Sequence, residues 1–133
     1  HKISRWFEEF KPSNAKLLAA LPKAEYDKLI RLADIGMIFL DSRFTIPNFP
    51  SRLLSYLENS IPVLLATDKN TDMGTIAESA GFGFWAESGD LSQFMANMDK
   101  LDSADTRLSM GRIGAEYLRR NYTVDKVADI ILR

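Results

Sequence analysis

Residues 41–68 read DSRFTIPNFPSRLLSYLENSIPVLLATD, and the order of elements in that stretch decides the fold. Asp41 closes the apolar run IGMIFL at 35–40, which has the length and composition of a strand covered on both faces. A loop rich in turn formers runs to Phe49, and a helix over 51–59 opens at Pro50, Ser51 and Arg52. The run PVLLA at 62–66 is a second buried strand. Strand, loop, helix start and strand, in that order, is how open α/β sheets present backbone N–H groups to an anion.

Upstream, Ile3, Trp6, Phe7 and Phe10 recur at helical spacing over residues 2–10, which predicts a helix with an aromatic stripe packed into the core. Pro12, Ser13 and Asn14 end it. Residues 15–21 are short and apolar and predict a buried strand running into Pro22. From Ala24 the helical period returns, with Tyr26, Leu29, Ile30 and Ala33 on one face.

Downstream, a loop at 67–72 leads into a helix through Ala80, and Gly81 and Gly83 punctuate the entry to a last strand at 82–86. Leu91, Phe94, Met95, Met98 and Leu101 form an amphipathic stripe. It reads as core, because methionine fills gaps more often than it marks a binding face. Residues 104–121 predict a long helix in which Gly111, Gly114 and Ala115 allow close approach, and 123–133 a final helix capped by Thr123. The expectation is one α/β domain over residues 1–133. It has a Rossmann-like parallel sheet of about four strands, flanked by helices and right-handed in its crossovers, with a helical carboxy terminus. The chain opens in mid-helix, without the strand and glycine-bearing turn that usually begin such a domain, so its front reads as truncated.

Composition narrows the function. With 46% hydrophobic and 26% charged residues the chain is globular. Its net charge of −1, with the basic residues scattered, argues against nucleic acid as partner. There is no cysteine, and the one histidine is His1, so thiolate chemistry, disulfides and histidine-based catalysis or metal binding are not expected. No apolar run reaches the ~18 residues of a spanning helix and no signal peptide opens the chain, so the cytoplasm is the expected compartment.

In an open sheet the ligand crevice lies beyond the carboxyl ends of the strands, and the loops at 21–23, 41–50 and 67–72 reach that edge. Pro50 suits a first helical turn, leaving the N–H groups of Ser51, Arg52 and Leu53 aimed unpaired at the crevice. The helix dipole and the forked donor of Arg52 add positive potential there. A diphosphate fits those donors. The plainer reading is that Ser51 caps the helix and Arg52 is solvated.

IPNFPSRLLSYLENSIPVLLATD, with TDMGTI, AGFGFW, ESGDL and the closing MGRIGAEYLRRNYTV, resembles the carboxy-terminal domain of retaining glycosyltransferases of the GT-B, family-four type. The likeness runs over nearly the whole chain and is nearest to bacterial enzymes of capsule and O-antigen polysaccharide synthesis. The resemblance implies a domain that binds the nucleotide of a sugar-nucleotide donor, usually a UDP-sugar. A separate amino-terminal domain would hold a glycan or lipid-linked acceptor, and the whole enzyme would work at the inner face of the membrane. It puts backbone near Ala20, Leu21 and Pro22 at the base. Ser51, Arg52 and Leu53 fall at the diphosphate, with Arg52 as the catalytic cation, and Thr45, Pro47, Asn48 and Phe49 near the donor sugar. Pro50 opens the helix, Thr71 and Asp72 border the crevice, and no metal or other cofactor is implied. The family's two glutamates, eight residues apart, fall at Pro47 and Ser55, where serine makes only a shorter, neutral ribose contact. Its usual Arg and Lys pair belongs to the front of the family domain. Two other readings are a non-catalytic nucleotide-binding module and a receiver-type signalling domain with Asp41 as phospho-acceptor and Thr67 at the end of the next strand.

Overall fold

The structure is a computed structural model that describes residues 2–43, 46 and 50–122. In chain order its elements are α1 (Lys2–Phe10), α2 (Lys23–Ile30), β1 (Gly36–Phe39), α3 (Arg52–Glu58), β2 (Val63–Thr67), α4 (Met73–Ala80), β3 (Gly83–Glu87), α5 (Leu91–Lys100) and α6 (Ala104–Asn121). The strands form one parallel sheet in the order β1-β2-β3, with Ile38 beside Leu65 and Leu65 beside Trp85. This is the helix-flanked α/β architecture of a Rossmann-like fold.

Alternation of side chains sorts the core into two layers. Ile38, Val63 and Leu65 face Leu53, Tyr56 and Leu57 of α3 and Met73 and Ala77 of α4. Met37, Leu64 and Phe84 face the other way, toward Phe94 and Met98 of α5 and Leu101 just beyond it. All five β2 residues are buried, as the central strand of a covered parallel sheet requires. Each large apolar side chain taken out of water there contributes roughly 1.5–3 kcal/mol.

Two glycines let the last long helix close one end of the sheet. A Cβ on Gly111 would overlap the carbonyl oxygen of Ser60, and one on Gly114 would press on Leu57 and Phe82. Ser60 and Phe82 lie just before β2 and β3, so α6 closes over the amino ends of those two strands. Gly81 (φ 87°) caps α4 in the left-handed conformation and turns the chain into β3. On α5, the buried Asn97 donates to the Trp85 carbonyl at 2.7 Å, pinning that helix to β3.

Four expectations are corrected. The sheet has three strands among the described residues, not about four, because residues 15–21 form no strand. That segment's three alanines are poor β-formers; it pairs with no strand among the described residues, and Leu17 and Leu18 are exposed. Helix α1 forms where expected but buries no residue. Its aromatic face closes on itself, Trp6 stacking on Phe10 at 5.4 Å and meeting Phe7 edge-on, while Ile3, Trp6 and Phe10 stay exposed. In the methionine-bearing stripe, Phe94, Met98 and Leu101 pack; Leu91, the first residue of α5, and Met95, turned about 100° around the helix from Phe94, are exposed. Leu29, expected on the inner face of α2, is also exposed, the packing falling to Ile30, Tyr26 and Ala33. The expected helix at 123–133 lies outside the described residues. None of the described helices is long and apolar enough to cross a membrane.

Candidate functional site at the carboxyl edge of the sheet

A polar knot built on Asp68 ends the central strand. Its Oδ1 accepts the N–H groups of Asn70 (2.8 Å) and Thr71 (3.0 Å), and its Oδ2 accepts the Thr71 hydroxyl at 2.8 Å. Asp68 is buried. Burial works to raise its pKa, but the Thr71 hydroxyl and the two N–H groups outweigh it and hold the carboxyl below its ordinary value. Beside it, the buried Thr67 hydroxyl donates to the Asp68 carbonyl and accepts from Trp85 Nε1 at 2.9 Å. Lys69 pairs with Glu87 at 3.1 Å. The knot makes the turn after β2 rigid and commits Thr67, Asp68 and Thr71 to each other. Asp72 stands exposed at the start of α4 without a side-chain capping bond.

After β1, Asp41 is taken up by Arg43, whose Nε and Nη2 reach its two oxygens at 2.9 and 2.6 Å. Those hydrogen bonds hold the Asp41 carboxyl far below the usual carboxylate range. Each carboxylate oxygen of Asp41 thus already accepts from Arg43, and the Thr67 hydroxyl is tied as well.

The opening of α3 differs from expectation in one donor. The Leu53 N–H bonds the Pro50 carbonyl at 3.0 Å and the Leu54 N–H bonds the Ser51 carbonyl at 3.1 Å, a tight first turn. Leu53 is moreover fully buried, so it offers neither N–H nor side chain. Ser51 makes no capping bond. The N–H groups of Ser51 and Arg52 meet no carbonyl among the described residues, and the exposed Arg52 side chain makes no hydrogen bond or ion pair among them. Pro50 precedes the helix as the acceptor that starts it.

Ser55, one turn on, is half-buried in a groove of about 320 Å³ between α2 and α3, with Lys23, Asp27, Arg31 and Glu58. Leu57 packs inward fully and Leu54 partly. Leu21 and Pro22 are exposed, and the Pro22 carbonyl starts α2 by accepting from Glu25 and Tyr26. The structure therefore brings Ser55 and the 21–23 loop to one groove through Lys23. Thr71 sits in the Asp68 knot instead. Thr45, Pro47, Asn48 and Phe49 lie outside the described residues.

One feature escaped the sequence reading. Phe39, the last residue of β1, is 62% exposed although the run 35–40 reads as covered throughout. Its ring lies 5.5 Å from that of Phe94, and the two rings line a cavity of about 210 Å³ with Ala66, Glu87, Asp90 and Leu91. The available signal was positional: a large aromatic at the final strand position, one residue before the loop, stands at the edge that ligands use. A larger cavity of about 520 Å³ lies between α4 and α6, where the charged groups Glu116 and Arg120 pair with each other.

Comparison of the chain with protein-family models, with curated proteins and with solved structures finds no match.

Proposed function

We propose that the chain is the donor-binding domain of a retaining glycosyltransferase of the GT-B, family-four type, acting on a nucleotide-sugar, with UDP as the nucleotide. The observation that carries this reading is the start of α3. An exposed arginine that makes no hydrogen bond or ion pair among the described residues stands there beside two backbone N–H groups that donate to no described carbonyl. Charge-assisted and backbone donors together suit a diphosphate. Arg52 would oppose the charge that develops on the departing diphosphate, which is where preorganised donors lower a barrier. Transfer would need the acceptor-binding domain that the family resemblance implies, and would need no metal. The polar groove with Ser55 and Lys23 supports a ribose contact one helical turn from the phosphates. The receiver-type reading loses ground to the engaged Asp41 and Thr67 side chains.

An NMR titration of the chain with UDP, with and without Mg²⁺, tests the proposal. With only one phosphate-facing arginine, the expected Kd is near ~1 mM, about −4 kcal/mol. Shifts are expected at residues 50–55 and 21–23 and are indifferent to Mg²⁺; Arg52→Ala weakens them by about tenfold. Shifts confined to other surfaces, or binding that requires Mg²⁺, would overturn it.

A further inference from the structure

The cavity beneath Phe39 has the chemistry of a second, separate subsite. Its floor is apolar, from Ala66 of β2 and the ring of Phe94, and the exposed Phe39 ring forms one wall. Two acidic residues, Glu87 and Asp90, are among those that line it. Both already hold one partner: Glu87 is paired with Lys69 at 3.1 Å, and Asp90 accepts the Gln93 N–H at 2.9 Å as the cap of α5. The charge of Glu87 is thus balanced by a cation, and that of Asp90 by the amino end of a ten-residue helix. Oxygen lone pairs remain on each carboxylate. The site therefore suits neutral hydroxyl donors better than a full positive charge.

We infer that this cavity binds a single pyranose ring. An aromatic face is electron-rich and attracts the weakly positive C–H bonds on the apolar side of a sugar ring. Ionised carboxylates are the strongest acceptors a protein offers to sugar hydroxyls. At about 210 Å³ the cavity falls below the ~300 Å³ at which drug-sized sites begin, which argues for one ring rather than an oligosaccharide. Its residues are distinct from those at the start of α3, so the inference adds to the nucleotide-sugar reading without depending on it.

The test uses the 133-residue chain and methyl pyranosides of glucose, galactose and N-acetylglucosamine, without nucleotide, followed by amide NMR. At least one pyranoside is expected to bind weakly and to shift the amides of Phe39, Gly89, Asp90 and Leu91. Phe39→Ala removes the ring wall and is expected to weaken binding by about threefold to tenfold. Phe39→Leu serves in its place if the alanine variant does not fold, since it keeps apolar volume but loses the aromatic face. The inference is overturned by an absence of shifts for all three sugars, by shifts outside the cavity, or by equal shifts from the acyclic polyol sorbitol. Binding unchanged in the Phe39 variant also overturns it. A loss of UDP binding in Arg52→Ala leaves it untouched, so the two proposals fail separately.

Discussion

The two ends of the sheet are built on opposite rules. At the amino end, bare glycines bring helix α6 to within contact of the turns entering β2 and β3. At the carboxyl end, the strand termini carry bulk and charge: Phe39 stands exposed, Asp68 is locked in a hydrogen-bonded turn, and Glu87 pairs with Lys69. One end is closed by removing side chains, the other kept available by adding them. The lesson is that the same three strands have a stability end and a chemistry end, and substitutions at each should read out differently.

The sharpest way to break this contrast is at Gly111. Gly111→Val puts side-chain atoms onto the Ser60 carbonyl, and the backbone there has no flexible end that yields. A loss of about 3 kcal/mol or more in urea unfolding is expected. A variant as stable as the parent would mean that α6 does not seal the amino edge.

Asp68→Ala comes next. It strands the Thr71 hydroxyl and the N–H groups of Asn70 and Thr71 without their acceptor, and a melting temperature lower by several degrees is expected. The effect carries a pH signature. Because the folded pKa of Asp68 lies below its ordinary value, its stabilisation is complete above the unfolded carboxylate pKa of about 3.9 and fades as pH falls through the lower folded value. The gap between parent and variant should therefore be constant near neutrality and close in acid. A gap that widens on acidification would contradict the hydrogen-bonded turn.

Two smaller effects sharpen the comparison. Arg52→Ala and Phe39→Ser are each expected to change unfolding stability by less than about 0.5 kcal/mol, since both side chains are exposed. Circular dichroism melts check this. A large loss at either position would return that residue to the structural end of the comparison.

Much of this was legible in the chain. The apolar runs before Asp41 and after Pro62 are β1 and β2, the periodic stretches are α2 to α6, and the small residues of α6 do mark a close approach. Local pattern carries such features because burial on both faces of a strand, or one face of a helix, must be written into neighbouring residues. Residues 15–21 show where it fails: an apolar run becomes a strand only if another strand offers its hydrogen bonds, and that offer is not local. The stripe of α1 fails for the same reason, its spacing specifying a face but not a surface to receive it.

At the candidate site the division is similar. The sequence alone determined that a loop, a proline and an arginine would open a helix after the first described strand, because capping and turn chemistry act over a few residues. Only the tertiary structure decided which donors remain. Leu53 gives its N–H to Pro50 and its side chain to the core, and Thr71 is spent on Asp68. It alone decided that Phe39 should face water beside Phe94, Glu87 and Asp90, from segments 48 to 55 residues downstream. The physical reason is that hydrogen bonds and burial are settled by whatever arrives alongside, and what arrives alongside depends on how the three strands align.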